Sequence, residues 1–491
     1  MSSSSAAAAP APAHAVFFPF PVQGHVALAL HLAKLLHARD GVRVTFVHSE
    51  RNRRRVLRSR GATALDGAPG FRFAAVPDGL PLDGDADAPP GMLPLLVAIR
   101  STVPHFKNVL DDAAASGDPA TCVVSDMDHI LLAARDMGLP TVVPWVPSAC
   151  GLLSSLHYQQ LIDRGLLPLK DAEQLSNGHL DSTVVDWVPG LPADMRLRDF
   201  GSFIRTTDPD DAVLAMYVSY MECLRTTPSA VVLNTFDELE GEVVAALSRL
   251  LPPVYTVGPI PRLAAAHVAG RGPVDALGAS LWPEDSRCLE WLRGKPPRSV
   301  LYVNFGSIVV VTREQLVELA WGLAASGHQF LWVIRDDQAK NGGGGDPADM
   351  FPPEFAEAAA KGRCYLTRWC PQEAVLQHDA IGAFLTHCGW NSMLDGICNG
   401  VPMLCYPLGA DQETNCRYAR TEWRIGAEVG ESIEREAVAR MVREVMGEDR
   451  GKEMRRRAME WKEKVAMAVA PGGSSWVNLE KLVKEMFLST D

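Results

Sequence analysis

The chain alternates short, bounded apolar runs with amphipathic segments, and it does so in two successive sets. In the first half the runs are Ala15–Phe20, Val42–His48, Phe71–Val76, Ala120–Ser125, Pro140–Val146 and Ala230–Phe236, with a helix expected from about Gly24 to Ala38. Val254–Val257, Val300–Phe305, Phe330–Ile334, Cys364–Thr367, Ile381–Leu385 and Val401–Cys405 repeat the rhythm in the second half. Apolar runs of this length fit strands buried on both faces, and the helical segments between them supply the crossovers that parallel pairing needs. The expectation is an α/β chain with two Rossmann-like domains whose parallel sheets face an interdomain cleft. At 491 residues the chain is also too long for one compact core. Leu251-Pro252-Pro253 and Gly258-Pro259-Ile260-Pro261 punctuate the junction, which gives domains at 14–252 and 253–470 and a closing segment at 471–491.

Composition narrows the classes. With 47% apolar and 22% charged residues the chain is globular, and a net charge of −12 argues against nucleic acid as a partner. Its ten cysteines form no Cys-x-x-Cys pair, so reduced thiols and a cytosolic location are expected. Residues 1–13 are low in complexity and lack a basic start, and they read as a disordered tail, not a secretory signal. Met137 to Ile162 is uncharged, but Pro140, Pro144 and Pro147 break it, so no membrane insertion is expected. Asp83 to Pro90 and Asn341 to Ala348 read as flexible loops.

Chemistry concentrates between Trp369 and Gln412. The strand Ile381–Leu385 leads through Thr386-His387-Cys388-Gly389-Trp390 into Asn391 and Ser392, which are good caps for a helix running to Asn399-Gly400. A strand that turns tightly into a helix presents free backbone N–H groups and a positive dipole end, a fit for phosphate. His387 and Ser392 add donors there. Asp395 lies one turn deeper on the face of Asn391, where a carboxylate accepts from ribose hydroxyls. An ordinary strand–helix unit would explain the apolar run but not this set of polar residues at these spacings.

Trp369-Cys370-Pro371-Gln372, Thr386 to Ser392, Asp395 and Asp411-Gln412 together resemble the signature box of plant family 1 UDP-sugar glycosyltransferases. The resemblance extends from Ala15 onward and implies the two-domain GT-B fold, with the last helix crossing back onto the N-terminal domain. It also implies roles. Trp369 would stack on uracil, Cys370 would meet the uracil edge through its backbone, and Gln372 with Asp395 would hold the ribose. His387, Asn391 and Ser392 would bind the pyrophosphate, and Trp390, Asp411 and Gln412 the sugar. Two positions depart from the family pattern: Asp395 replaces a more usual Glu, and Tyr406 stands where Trp is common.

Glycosyl transfer to an alcohol needs a base, a partner that orients it, and stabilisation of the leaving diphosphate. His25 follows the first strand at the head of a helix, at the mouth of the cleft, where it could be a base or simply a capping or solvent-facing histidine. The family's Gly-His motif favours the base, although the usual Asn-Pro is Ala27-Leu28 here. Asp126, at the end of Ala120–Ser125, would orient it, unless it only caps the next helix, a role Asp128 could also fill. Ser307, in Asn304-Phe305-Gly306-Ser307, would reach the diphosphate. The implied reaction is a single metal-free displacement, inverting an α-linked donor to a β-glycoside, with no cofactor besides the UDP-sugar.

Competing signals are weaker. Asp126-x-Asp128 has the form of a metal-binding Asp-x-Asp, but the C-terminal box has no place in that fold. Asp83-Gly84-Asp85-Ala86-Asp87 begins like a calcium loop and lacks its remainder, and the arginines from Arg51 to Arg60 read as a solvated helix face. No Gly-x-Gly-x-x-Gly follows the first strand, which disfavours a nicotinamide dehydrogenase. A protein that binds a sugar nucleotide without turnover is the other class of reading, and the presence of both His25 and Asp126 speaks against it. Gln412 resembles glucose-using members and points to UDP-glucose. Val146, where many relatives have Thr, leaves room for a pentose donor such as UDP-xylose. A monomer is expected, acting on a small, mostly apolar hydroxylated acceptor whose pocket takes in Phe20, Trp145, His157 and Tyr158. Asn304 to Ile308 and Arg205-Thr206-Thr207-Asp208 lean towards the subgroup acting on cyanohydrins, terpenoid alcohols and cytokinins.

Overall fold

The computed structural model describes residues 13–80, 92–270, 272–335 and 360–488 except 431, together with 351, 355 and 357. The expected tail, apart from Ala13, and the expected loops at Asp83–Pro90 and Asn341–Ala348 lie outside the described residues.

Two parallel sheets form the framework. The first holds β1 (His14–Phe17), β2 (Arg43–Ser49), β3 (Phe71–Val76), β4 (Cys122–Val124), β5 (Thr141–Trp145), β6 (Ala230–Leu233) and β7 (Val254–Thr256), in the order β3-β2-β1-β4-β5-β6-β7. The second holds β8 (Val300–Asn304), β9 (Gln329–Val333), β10 (Cys364–Thr367), β11 (Ile381–Thr386), β12 (Met403–Cys405) and β13 (Gly426–Glu428), in the order β10-β9-β8-β11-β12-β13. Every residue of β1, β5, β6, β8, β11 and β12 is buried, as strands covered by helices on both faces must be. Strand order reverses between β1 and β4 and again between β8 and β11. At each reversal the connections leave in opposite directions, opening a crevice at the carboxyl ends of the strands.

The structure moves the expected boundary. β7 pairs with β6 through Val231↔Val254 to Leu233↔Thr256, so it closes the first sheet and does not open the second. The following helix, Ile260–Val268, packs along Gln23–Asp40, with Leu263, Ala264 and Val268 in the first lobe's core. Leu251-Pro252-Pro253 is therefore a turn into an edge strand, and a division at 252 falls inside the N-terminal lobe. β13 was not expected: three residues, Gly-Ala-Glu, carry no apolar run. The helix Ser474–Met486 lies against β7, where Asn478 Nδ2 donates to Thr256 Oγ1 at 2.7 Å and Leu479, Leu482 and Val483 join the N-terminal core. No described helix is long and apolar enough to cross a membrane.

Candidate active site

The first crevice brings His25 and Asp126 together. β1 and β4 pair through Phe17↔Val124, so the loops that leave them emerge side by side. Asp126 lies two residues beyond β4, and His25 lies in the first turn of the helix Gln23–Asp40. The carboxylate is held on both sides, with Oδ2 engaging His25 Nδ1 and Oδ1 accepting the Phe20 N–H at 2.7 Å. The Tyr220 hydroxyl donates to the Asp126 carbonyl at 2.7 Å. Asp126 is 3% exposed and His25 27%, so the acid is buried while the ring reaches the cleft. With Nδ1 occupied, Nε2 is the nitrogen left to accept a proton.

The second crevice gathers the box. Beyond Thr386, which pairs with Asn304 of β8, the chain turns through His387, Cys388 and Gly389 into the helix Trp390–Asn399. Cys388 is held at a φ of 66°, rare for a side chain of its kind. Its N–H donates to Thr386 Oγ1 at 3.2 Å and its carbonyl accepts from Asn415 Nδ2 at 2.9 Å. Asn391 and Ser392 are not the caps expected of them. Gly389 occupies the cap position without a side-chain bond, so the first-turn N–H groups keep their bonding capacity for an anion. The Asn391 amide instead donates across the cleft to the Gly24 carbonyl at 3.2 Å, and Ser392 Oγ accepts from Gln372 Nε2 at 3.2 Å.

Electrostatics tune this side of the cleft. Burial, aided by the nearby Arg335 guanidinium, pushes the His387 imidazole down to about 4, so at neutral pH it can offer an N–H but no charge. Arg335, itself buried, donates to the carbonyls of Gly306 and Val309 and so fixes the loop carrying Ser307, which lines the cleft. Gly306 has a φ of 72°, and a Cβ there would lie 2.7 Å from the His387 ring. Gln372 Nε2 donates to Asp395 Oδ2 at 2.8 Å, while its Oε1 accepts from Asn304 Nδ2 at 2.8 Å. Burial raises the Asp395 carboxyl to about 7. The Cys370 side chain is buried beside the Tyr302 hydroxyl at 3.4 Å, and the half-buried Trp369 ring packs towards Trp282. Asp411 Oδ2 accepts from Asn415 Nδ2 at 2.9 Å and from the Ser148 N–H at 3.4 Å, and burial raises its carboxyl. Gln412 Oε1 accepts the Leu408 and Gly409 N–H groups at 2.8 and 3.1 Å, which leaves its NH2 as the outward donor.

Three of the expected site residues direct their side chains into the protein. The Trp390 indole is 3% exposed and donates to the Asn234 carbonyl at 2.9 Å, because a desolvated indole N–H requires an acceptor. Its side chain is thus a strut between lobes, although Trp390 also lines the cleft. His157 and Tyr158 do not line the cleft. His157 Nδ1 donates to the Leu153 carbonyl at 2.7 Å, and Tyr158, 1% exposed, packs behind Tyr217 with ring centroids 5.9 Å apart.

The cleft between the lobes encloses about 1160 Å³, and Phe20, Trp145 and Val146 all line it. A further part of its N-terminal wall comes from the helix Ala212–Thr226 through Val213, Met216, Tyr217 and Tyr220. Steps of three, one and three residues put these on one helical face, a period already present in the sequence. The phenol of Tyr406 points elsewhere, accepting from Gln315 Nε2 at 3.0 Å.

Comparisons with known proteins match this geometry. The UDP-glucoronosyl and UDP-glucosyl transferase family model matches residues 197–460. The chain is 48% identical over 482 residues to (R)-mandelonitrile beta-glucosyltransferase of Prunus dulcis, covering 97% of each chain. It is 47% identical to 7-deoxyloganetin glucosyltransferase of Gardenia jasminoides, covering 96% of this chain and 97% of that one. Among solved structures, Os79 from O. sativa in complex with UDP superposes with a TM-score of 0.78 at 27% identity, covering 96% of this chain and 100% of that chain. A cleft that sets a histidine–aspartate pair against a nucleotide-type helix end, in a chain alike over nearly its whole length, makes this protein a UDP-glycosyltransferase of the UDP-glucoronosyl and UDP-glucosyl transferase family.

Proposed function

We propose that the enzyme transfers glucose from UDP-glucose to a hydroxyl of a small, mostly apolar plant metabolite, and that it does so by inversion without a metal ion. The observation that carries this reading is the His25–Asp126 pair facing, across one cleft, the helix end that begins at Trp390. His25 Nε2 takes the acceptor's proton as its oxygen attacks the anomeric carbon, and Asp126 stabilises the imidazolium. Negative charge growing on the departing UDP meets the helix N–H groups, the Asn391 amide and the His387 N–H. Gln372 and Asp395 hold the ribose, Trp369 the uracil, and Asp411 with Gln412 the sugar hydroxyls. The aromatic wall of Phe20, Trp145, Tyr217 and Tyr220 suits an apolar or aromatic alcohol. Relatives named for a cyanohydrin and for a terpenoid acceptor support that choice, as their glucosyltransferase names support the donor.

The test is an incubation with UDP-glucose and a panel of cyanohydrins, terpenoid alcohols and phenols, with and without EDTA, read by mass and by the anomeric proton. A β-glucoside formed equally in EDTA is the expected product. An α-linked product, or activity lost to EDTA and restored by a divalent ion, would overturn the mechanism.

A further inference from the structure

The thiols of Cys388, Cys405 and Cys416 converge within 4.8 Å of one another, and all three residues are buried. They arrive from three elements: the turn after β11, the last residue of β12, and the helix Gln412–Thr421. A metal–sulfur bond of about 2.3 Å places three trigonal sulfurs about 4 Å apart, within the span seen here. Among the described residues no His, Asp or Glu joins the group. An all-thiolate, three-coordinate set rejects hard ions such as magnesium or calcium, which need oxygen ligands in larger number, and selects soft ones. A surface pocket of about 360 Å³ reaches Cys416 and is also lined by Glu413. The Oε2 of Glu413 is buried without a hydrogen-bond partner.

The site adjoins the donor loops. Cys388 follows His387 in the turn at the head of the helix Trp390–Asn399, and Cys416 follows Asn415, which holds both the Cys388 carbonyl and the Asp411 carboxylate. We infer that Cys388, Cys405 and Cys416 form a binding site for one thiophilic divalent d10 cation, and that its occupation weakens UDP-sugar binding by drawing the His387–Gly389 turn towards Cys405. Binding replaces three S–H bonds by three metal–sulfur bonds and releases three protons to the buffer, with no change of oxidation state. The cysteine site stands on its own geometry; its effect on the donor rests on the UDP-glucose reading above.

Cadmium(II) is the probe, titrated under argon into the whole protein. The expected result is a sulfur-to-cadmium charge-transfer band that saturates at one equivalent, is lost in Cys405→Ala and Cys416→Ala, and is retained in Cys364→Ala. Cadmium-edge X-ray absorption on the unaltered protein, which needs no variant to fold, should show three sulfur neighbours. A shell of oxygen or nitrogen, or a band unchanged in both variants, would overturn the site. The UDP-glucose dissociation constant should rise severalfold on cadmium loading, and an unchanged constant would overturn the coupling. Failure of the metal-free protein to bind UDP-glucose would sink the donor reading and leave the cadmium result standing.

Discussion

Asn391 and Gly24 join the two lobes at the point where chemistry is expected: the amide of the first donates at 3.2 Å to the carbonyl of the residue just before His25. One side chain thereby links the helix end facing the diphosphate to the turn carrying the base. Asn391→Ala should lower kcat/KM about tenfold to a hundredfold, the range for hydrogen bonds to charged groups. Gly24→Ala makes a cleaner probe, since its Cβ would lie 2.8 Å from Asn391 Nδ2 and displace the amide without removing it. Steady-state kinetics should show a smaller loss for Gly24→Ala than for Asn391→Ala; equal losses would mean that Asn391 acts only as a tie.

The buried Asp126 should matter through His25 alone. Asp126→Asn keeps an acceptor for the Phe20 N–H but turns an amide towards His25 Nδ1 and favours the wrong tautomer. The expected outcome is a kcat reduced by about 10² to 10⁴ for this variant and for His25→Ala, with UDP-glucose affinity by calorimetry unchanged. An affinity loss as large as the rate loss would show that the pair supports the fold and not the reaction.

Asp395 predicts a pH dependence with a definite sign. Its folded carboxyl, raised to about 7, sits above the unfolded value of about 3.9, so its contribution to stability is full below about pH 4 and is lost as pH rises through 7. Ribose hydroxyls donate more strongly to the ionised carboxylate, so ligand and proton compete. The UDP-glucose dissociation constant should rise towards tenfold for each pH unit below about 7, with proton release on binding near pH 6.5. Asp395→Asn should flatten that profile.

Tyr217 and Tyr158 separate a cleft wall from its support. Tyr217 faces the cavity and Tyr158 lies behind it. Tyr217→Ala should raise the acceptor KM about tenfold or more through lost apolar and aromatic contact, leaving the UDP-glucose KM alone. Tyr158→Phe should leave both KM values alone, and an acceptor effect from Tyr158→Phe equal to that of Tyr217→Ala would contradict the layering.

Legibility in the sequence followed the physics of each signal. Buried parallel strands announce themselves through continuous apolar runs, and eleven of the thirteen strands lie within the expected runs or extend at most one residue beyond them and in the expected half of the chain. β7 was readable but misplaced, because a proline cluster looks the same whether it breaks a domain or only turns into an edge strand. β13 was invisible, being three residues long with no apolar stretch. In the box, residue types and spacing marked which side chains would gather, but not how each spends its hydrogen bonds. Nothing in the order Trp390-Asn391 reveals that Asn234 and Gly24, far off in the chain, take up their donors. His157 and Tyr158 failed for a simpler reason: helical periodicity places residues on a face without saying which face meets the cavity.

The helix Ser474–Met486, covering β7, has a consequence for biosynthesis. The edge strand of the lobe made first is sheltered by residues that leave the ribosome long after it, so this lobe waits through synthesis of the second lobe with an open strand edge, a surface prone to pairing with other chains. A premature stop before Ser474 would spare every residue of the nucleotide box and still uncover the lobe that carries His25. Truncation before Ser474 should therefore show first as aggregation of the protein, even where the sugar-nucleotide residues are intact.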